Sequence, residues 1–320
     1  MAVPDRHRRR VATTAALPWA VWALVRAMGA ERGFPLVPVV SFTPYAAASA
    51  VLPLALAVRT RSVAGGALSA AAGLALGSTV LSRAGGRPAP LPAGPRVRVA
   101  SVSRRKGLVA ADPVIDLVRR HDVDVLSVQE LTPSAEAALR GAGIGKLLPS
   151  GHVIPARHGS IPSASGAVWT RLTVLDRASS PGGFEQPTVR LEVDGGPDLE
   201  LTAVHSTPPV TPASVQAWHR DLTDLPHPDA GVLRVLAGDF NATVDHAALR
   251  GVLDRGYVDA ARAVGRALAW TWRPLRLRFP RLAVDHVLVD PRIGVAQVEL
   301  VPVAGSDHRA VVADLVLPAG

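Results

Sequence analysis

Hydrophobic and polar positions follow two different regimes along this chain, and the change falls near residue 96. Ahead of it lie three apolar stretches. The first runs from Val11 to Val25 and ends at Arg26, the second from Leu36 to Val58 is 23 residues without a charge, and the third from Ser62 to Ser82 is 21 residues without a charge. About 20 apolar residues cross the hydrocarbon core of a bilayer, so the second and third have spanning length. The first is shorter, and its Arg26 would snorkel toward an interface. We expect a membrane region over 1–82 with about three spans, 11–30, 36–58 and 62–82, and a Gly- and Pro-rich linker over 83–95. Pro44 and Pro53 fall inside the second span, where a helix bundle tolerates them. A buried hairpin of a soluble protein fits less well, because soluble helices carry a polar face.

From Val97 the pattern becomes short β-rich runs broken by turns and helices. VRVASVS (97–103) and DVLSVQE (124–130) read as strands, with a short helix between them over 112–121, Asp112 at its cap and Pro113 at its first position. LELTAVHS (199–206), VLRVLAGDFN (232–241), AVDHVLVD (283–290) and RAVVADLVL (309–317) read as further strands. Interspersed strands and helices predict an α/β or α+β sandwich over 96–320.

Charge changes the picture next. Residues 1–95 hold ten Arg and two acids, a local +8, whereas 96–320 hold 25 Lys plus Arg and 24 Asp plus Glu, a local +1. Proteins that grip long nucleic acid spread basic charge over the binding body, so the near-neutral second part makes nucleic acid the less favoured partner. The chain has no cysteine, which excludes disulfides, thiolate zinc sites and a cysteine nucleophile. Counting the arginines nearest the spans gives four on one side and six on the other, which places the N-terminus in the cytoplasm and, with three spans, the second part outside.

Polar residues recur where the apolar runs end. Glu130 follows DVLSVQ, His205 follows LTAV, Asp239 and Asn241 follow VLAG, Asp285 and His286 interrupt a run, and Asp307 with His308 precedes the last strand. Strand ends can project such groups into one cleft. Carboxylates with an amide and no thiolate favour a hard, oxygen-preferring ion, Mg²⁺ with Mn²⁺ as a substitute. Two neutral histidines can contact or protonate a phosphate. Loop Asn and Asp are also ordinary turn residues, so each position alone has a purely structural reading.

Taken together, VDVLSVQEL, the His of VHSTPP, GDFNAT, TW (271–272), VDHVLV and GSDHRAVVADL occur in the order and spacing of the endonuclease/exonuclease/phosphatase superfamily, which residues 96–318 resemble. The resemblance implies a four-layer sandwich, two β-sheets flanked by helices, here preceded by an N-terminal transmembrane helical region. It implies a metal-dependent hydrolase of phosphoester or phosphoanhydride bonds. Glu130 and Asp307 would hold the metal, Asp239 and Asn241 would position the attacking water, His308 polarised by Asp285 would serve proton transfer, and His205 would contact a phosphate oxygen. Members usually carry Asn at the end of the first strand; here Ser103 stands there, a substrate-contact position with one hydroxyl in place of an amide. Arg104, Arg105 and Lys106 beside it read either as phosphate contacts or as a solvated loop.

Within the superfamily, ERGFPLVPVVSFTPY, QELTPSAEAAL, GDFNATVDHAALR and GYVDAA are similar to actinobacterial membrane phosphatases of the teicoplanin-resistance (VanJ-like) type. That likeness implies a multi-pass cell-membrane protein with an external catalytic domain acting on a polyprenyl (undecaprenyl) pyrophosphate. RPLRLRFPR (273–281) interleaves Arg273, Arg276, Arg278 and Arg281 with apolar residues. It reads either as a lipid-facing segment whose Arg273 and Arg276 reach the pyrophosphate or as an ordinary edge strand. The rival expectations are a membrane-attached nuclease and a catalytically impaired, membrane-tethered sensor. Oligomeric state leaves no mark in the sequence.

Overall fold

The structure is a computed structural model that describes residues 3–86 and 89–320. Residues 1–2 and 87–88, in the expected membrane region and linker, lie outside the described residues. The N-terminal region is helical: α1 (Val3–Met28), three short helices α2 (Leu36–Val40), α3 (Thr43–Ser49) and α4 (Val51–Arg59), and α5 (Val63–Leu81). Two stretches, Asp5–Met28 and Val63–Leu81, are long and apolar enough to cross a membrane. The expected second span is broken into α2, α3 and α4. Prolines explain the breaks: Pro44 opens α3, and Pro38 and Pro53 remove amide donors from the ladder.

The stretch α2–α4 runs antiparallel to α1 and α5 runs parallel to it, and both zip along α1. Ser62 at the cap of α5 meets Thr13 and the Arg9 carbonyl, Trp19 donates to Ala46 and Ser49, and Trp22 donates to Thr43. Gly65 allows close approach, since a Cβ there would sit 3.1 Å from the Ala12–Thr13 backbone. Their outer faces stay apolar and uncovered at Val21, Leu24, Leu52, Val58, Leu74 and Leu81.

The rest of the chain forms two six-stranded sheets. The first sheet contains β1 (Arg96–Ser103), β2 (Val125–Leu131), β3 (Ser150–Ile154), β4 (Ser165–Thr170), β11 (Gly294–Pro302) and β12 (Arg309–Val316), in the order β11-β12-β1-β2-β4-β3. The second contains β5 (Thr173–Ser180), β6 (Gln186–Glu192), β7 (Leu199–His205), β8 (Leu233–Asp239), β9 (Val258–Asp259) and β10 (Asp285–Val289), in the order β5-β6-β7-β8-β10-β9. Each sheet is built around one parallel pair, β1 with β2 and β7 with β8, the remaining pairings being antiparallel. The crossover between β1 and β2 carries α6 (Ala111–Arg120), followed after β2 by α7 (Pro133–Gly141) and α8 (Ile144–Leu147). The crossover between β7 and β8 carries α9 (Pro212–Thr223), and α10 (Ala247–Asp254) and α11 (Ala260–Ala263) follow β8. Asp112 sits in the first turn of α6 and not at its cap.

Strand alternation makes three apolar layers. Val97, Val99, Leu201, Val235, Val287 and Leu315 fill the space between the sheets. Val102, Val118, Val128 and Leu139 lie under α6 and α7, and Trp218, Leu236, Phe240 and Leu249 lie under α9 and α10. The result is the expected four-layer sandwich.

The helical region is bound to this sandwich by buried contacts. Val37 joins the core under α9 and α10. Arg26 and Arg83 both pair with Asp245, whose side chain is fully buried, so Arg26 does not snorkel. His246 hydrogen-bonds the Val37 carbonyl, and Glu31 accepts from the Ala247 amide. The expected linker is not a free tether either, because Gly86 lies against Gly265 and Gly94 against Leu317 and Pro318, closer than a Cβ would allow.

Candidate active site

Strand direction gathers the site. The parallel strands present their C-terminal ends at one end of the sandwich: Ser103 on β1, Glu130 (last but one) on β2, His205 on β7 and Asp239 on β8. Antiparallel β10 and β12 present their first, Asp285 and, just ahead of Arg309, His308. In register, His205 lies opposite Asp239 and Asp239 opposite Asp285.

Glu130 has φ 54° where the pairing of β2 with β4 shifts register, a bulge that turns its side chain away from the ladder. Its carboxylate accepts the Lys106 amide at 2.6 Å and lies 3.5 Å from the Ser103 hydroxyl. Burial, with the Asp307 charge adding to it, pushes the Glu130 carboxyl above its usual range despite the Lys106 hydrogen bond. Asp307 accepts from the Trp272 indole at 3.3 Å through one oxygen, and its other oxygen is buried with no partner. A buried, unpartnered carboxylate oxygen beside a second carboxylate is a donor set short of a cation, and hard oxygen donors suit a divalent metal.

His308 is held from both sides. Its Nδ1 is 2.9–3.0 Å from both Asp285 oxygens, and its Nε2 is 3.9 Å from Asp239. Burial disfavours the charged ring, but the charge and hydrogen bond of Asp285, with Asp239, outweigh it and push His308 up to about 10. Asp285 is anchored by the Thr271 hydroxyl, which accepts its amide at 3.0 Å. Asp239 is pushed up to about 8, first by burial and then by the Asp285 charge. Asn241, at φ 45°, donates its amide to Asp239 at 2.8 Å and its side chain to the Ser206 carbonyl at 2.9 Å. Ligand atoms of Asp239, Asp285 and His308 lie within 4.8 Å of one another. With Nδ1 of His308 committed to Asp285, this trio reads as a proton-handling group and not as a metal cage.

His205 is buried against Phe184, ring centres 4.4 Å apart, and its Nδ1 has no partner. Burial pushes it down to about 3, so it is neutral. The sequence reading made both histidines neutral; the paired carboxylates reverse that for His308. His286 belongs elsewhere, bonded at 2.8 Å to the buried Asp259 below the site.

Ser103 lies beside Glu130, and its carbonyl accepts from Ser306, whose hydroxyl in turn holds the His308 amide. Arg104 is not part of a solvated loop: it is buried and donates to the Val109 carbonyl, while its Nε and Nη1 are without partners among the described residues. Arg273 adjoins the site through its amide, which donates to the Asp307 carbonyl at 3.0 Å, whereas Arg276 sits exposed in the following loop. That loop is irregular, which removes the edge-strand alternative for 273–281. Sequence reasoning gave no role to Arg309, although it directly follows His308 in GSDHRAVVADL, and gave Trp270 no place in the site.

A model described as the Endonuclease/Exonuclease/phosphatase family matches residues 101–308, which takes in every site residue named above except Arg309. The chain belongs to this family. It is a metal-dependent hydrolase of phosphoester bonds, as members of the family are. Solved structures share the fold. Humanized TDP2 of D. rerio superposes with TM-score 0.54 at 16% identity, covering 69% of this chain and 98% of that one. An endonuclease/exonuclease/phosphatase of Beutenbergia cavernae superposes with TM-score 0.52 at 21% identity, covering 70% and 72%. One from Bacteroides vulgatus gives 0.53 at 17% identity, covering 70% and 99%. No curated protein matches the chain. These structures align with about the length of the two-sheet sandwich.

Proposed function

We propose that the chain is a multi-pass membrane phosphohydrolase, Mg²⁺-dependent, that cleaves the phosphoanhydride of a polyprenyl (undecaprenyl) pyrophosphate on the outer face of the cell membrane. The domain division follows the same reading: a membrane region over 1–82, a connecting segment over 83–95 and a catalytic domain over 96–320. The observation that carries it is a cavity of about 310 Å³ walled jointly by the apolar helices and the catalytic domain. Ser41, Pro44 and Tyr45 line it from the helices, and Trp270, Leu282, Ala283 and Asp285 of the site line it from the catalytic domain. A substrate with an apolar chain and an anionic head fits a cavity that joins those two environments. Fixing such an enzyme at the bilayer also raises its effective concentration on a lipid headgroup.

Glu130 and Asp307 are the residues that would hold the metal, with Ser103 supporting Glu130. A bound Mg²⁺ supplies charge neutralisation on the phosphoryl oxygens. The chain's own residues do the rest. Asp239, at 3.9 Å from His308, acts as base in its ionised form, which its raised pKa makes a stronger acceptor for the proton of the attacking water that Asn241 helps to orient. His308, cationic on its Asp285 support, faces the phosphate as a donor, and neutral His205 donates to another phosphoryl oxygen. Arg273 and Arg276 stand on the approach to the site.

Phosphate release from undecaprenyl pyrophosphate by detergent-purified protein, with and without Mg²⁺, tests this reading. Release that needs Mg²⁺ and is lost in Glu130→Ala and His308→Ala supports it. Nicking of plasmid DNA without lipid turnover would move the assignment to a nuclease, and silence in both assays to a tethered sensor.

A further inference from the structure

Three guanidinium groups crowd one indole beside the site. Arg309 stacks on Trp270 with 3.6 Å from its central carbon to the ring centre, Arg281 lies at 5.3 Å and Arg273 at 5.6 Å. None of the three has a carboxylate partner within 4 Å among the described residues. Their own hydrogen bonds are few. Arg273 donates to the Leu277 carbonyl, Arg281 to that of Arg278, and the Nε of Arg309 is buried with no partner at all. Arg234, half-buried in the same domain, meets Glu200 instead. Three like charges held together with an unmet donor are costly unless an anion completes the group.

The cluster is joined to the catalytic residues through the backbone. Arg309 follows His308 and donates its amide to the Thr271 carbonyl, and Trp272 is bridged to His308. Trp270 and Arg281 line the same cavity as Asp285, and the Arg281 backbone is held by the Tyr45 hydroxyl of the helical region. A phosphate at His308 would therefore have the cluster on the side from which the helices approach.

We propose that Arg273, Arg281 and Arg309, gathered on Trp270, form a subsite for the second, non-scissile phosphate of a diphosphate substrate. This rests on the phosphohydrolase reading above and narrows it: the enzyme selects a diphosphate head over a monophosphate. Guanidinium forks match phosphate oxygens two at a time, and the indole keeps them preorganised.

Calorimetric titration of the full chain in detergent, without divalent ion, reads this apart from turnover, with inorganic pyrophosphate and inorganic phosphate as probes. Pyrophosphate binds at least about tenfold tighter than phosphate in the wild type, and this preference falls below about twofold in Arg309→Gln and in Arg281→Gln, phosphate affinity staying constant. Arg281 is exposed, so its variant folds even where Arg309→Gln does not. Equal binding of the two anions by the wild type, or preference kept in Arg281→Gln, overturns the proposal. So does tighter binding of a thymidine oligonucleotide that the same variants lose, which would make the group a nucleic-acid backbone contact. Pyrophosphate preference without lipid turnover leaves the subsite standing and sinks the substrate assignment; lipid turnover without the preference does the reverse.

Discussion

Replacing Asp245 with Ala removes the carboxylate on which two arginines of the helical region are paired. Its side chain is fully buried, and the two arginines it holds, Arg26 and Arg83, are 17% and 9% exposed at their side chains. In Asp245→Ala both cations remain confined. Among the described residues, Arg83 keeps only the Thr79 carbonyl at 3.3 Å, and nothing else of opposite charge pairs with Arg26. Breaking a buried pair by removing one partner costs about 3–5 kcal/mol, because the surviving charge is left unpaired. For a body of this size about 1 kcal/mol moves the melting temperature by about 2–4 °C, so the variant should melt roughly 6–20 °C lower. Thermal unfolding of detergent-purified protein measures this directly. Asp245 touches no residue of the site, so hydrolysis of a small soluble phosphodiester should persist while turnover of a vesicle-borne lipid falls. The triple variant Arg26→Met, Arg83→Met, Asp245→Leu replaces the charges with packing and should recover most of the lost stability. A melting temperature within about 2 °C of wild type in Asp245→Ala would refute the reasoning: the pair would then behave like a solvated surface bridge.

Further outcomes follow from the site and from the core. Asp285→Asn leaves the shape of the His308 pocket but removes its counter-charge, so kcat should fall about 10²–10⁴-fold with KM little changed; near-normal kcat would remove Asp285 from proton handling. Ser103→Asn gives Glu130 a longer neighbour with an amide donor, and the Mg²⁺ concentration for half activation should drop, by about tenfold on the scale of supporting contacts to ligands; a curve shifted upward would show that serine is the better fit. For the buried pair His286–Asp259, burial disfavours both charges, but each partner outweighs it, raising His286 and lowering Asp259. The His286 contribution is complete below its unfolded value of about 6.5 and lost as pH rises through the folded value; that of Asp259 is complete above about 4 and lost as pH falls. Melting temperature should therefore peak between about pH 4 and 6.5, a peak that Asp259→Asn flattens. Since the chain has no cysteine, single cysteines report orientation. An impermeant thiol reagent should label exposed Ala230→Cys in intact cells and Thr60→Cys only after permeabilisation, and the opposite pattern would invert the proposed topology.

How much of this was legible in the sequence depends on where each strand lies. Strands β1, β2, β7, β8, β10 and β12 are inner strands buried on both faces, so they appear as unbroken apolar runs, and their ends at the cleft carry the polar groups that motif reading found. Strands β3, β5 and β11 are at or next to sheet edges. β5, TVLDRASS, is mostly exposed and is held by its ladder with β6, which leaves no hydrophobic signature. The site residues were legible one by one, but their electrostatics were not. Whether a histidine is neutral or cationic depends on Asp285 and Asp239, which reach His308 from another sheet. The Trp270 group was invisible for the same reason. Trp270, Arg273 and Arg281 come from the irregular segment before β10 and Arg309 from the start of β12, and only folding stacks them.

The arrangement of the helices also bears on a balance that sequence counting left close. Ser62 meets Arg9 and Thr13 at one end of the helical region, whereas Arg26 and Arg83 meet the catalytic domain at the other. The N-terminal arm with Arg6, Arg8, Arg9 and Arg10, and the turn with Arg59 and Arg61, therefore share the end away from the domain. On the domain side, Arg26 and Arg83 are confronted by Asp245, and Glu31 lies buried nearby on the Ala247 amide. Those two arginines act as docking charges for a folded domain, and a docking charge satisfied by protein contributes little to the retention of free positive charge in the cytoplasm. Discounting them widens the difference between the two ends in favour of a cytoplasmic N-terminus. The same contacts explain why the domain-side arginines are tolerable at all: the carboxylate that neutralises them belongs to the body against which the helical region packs.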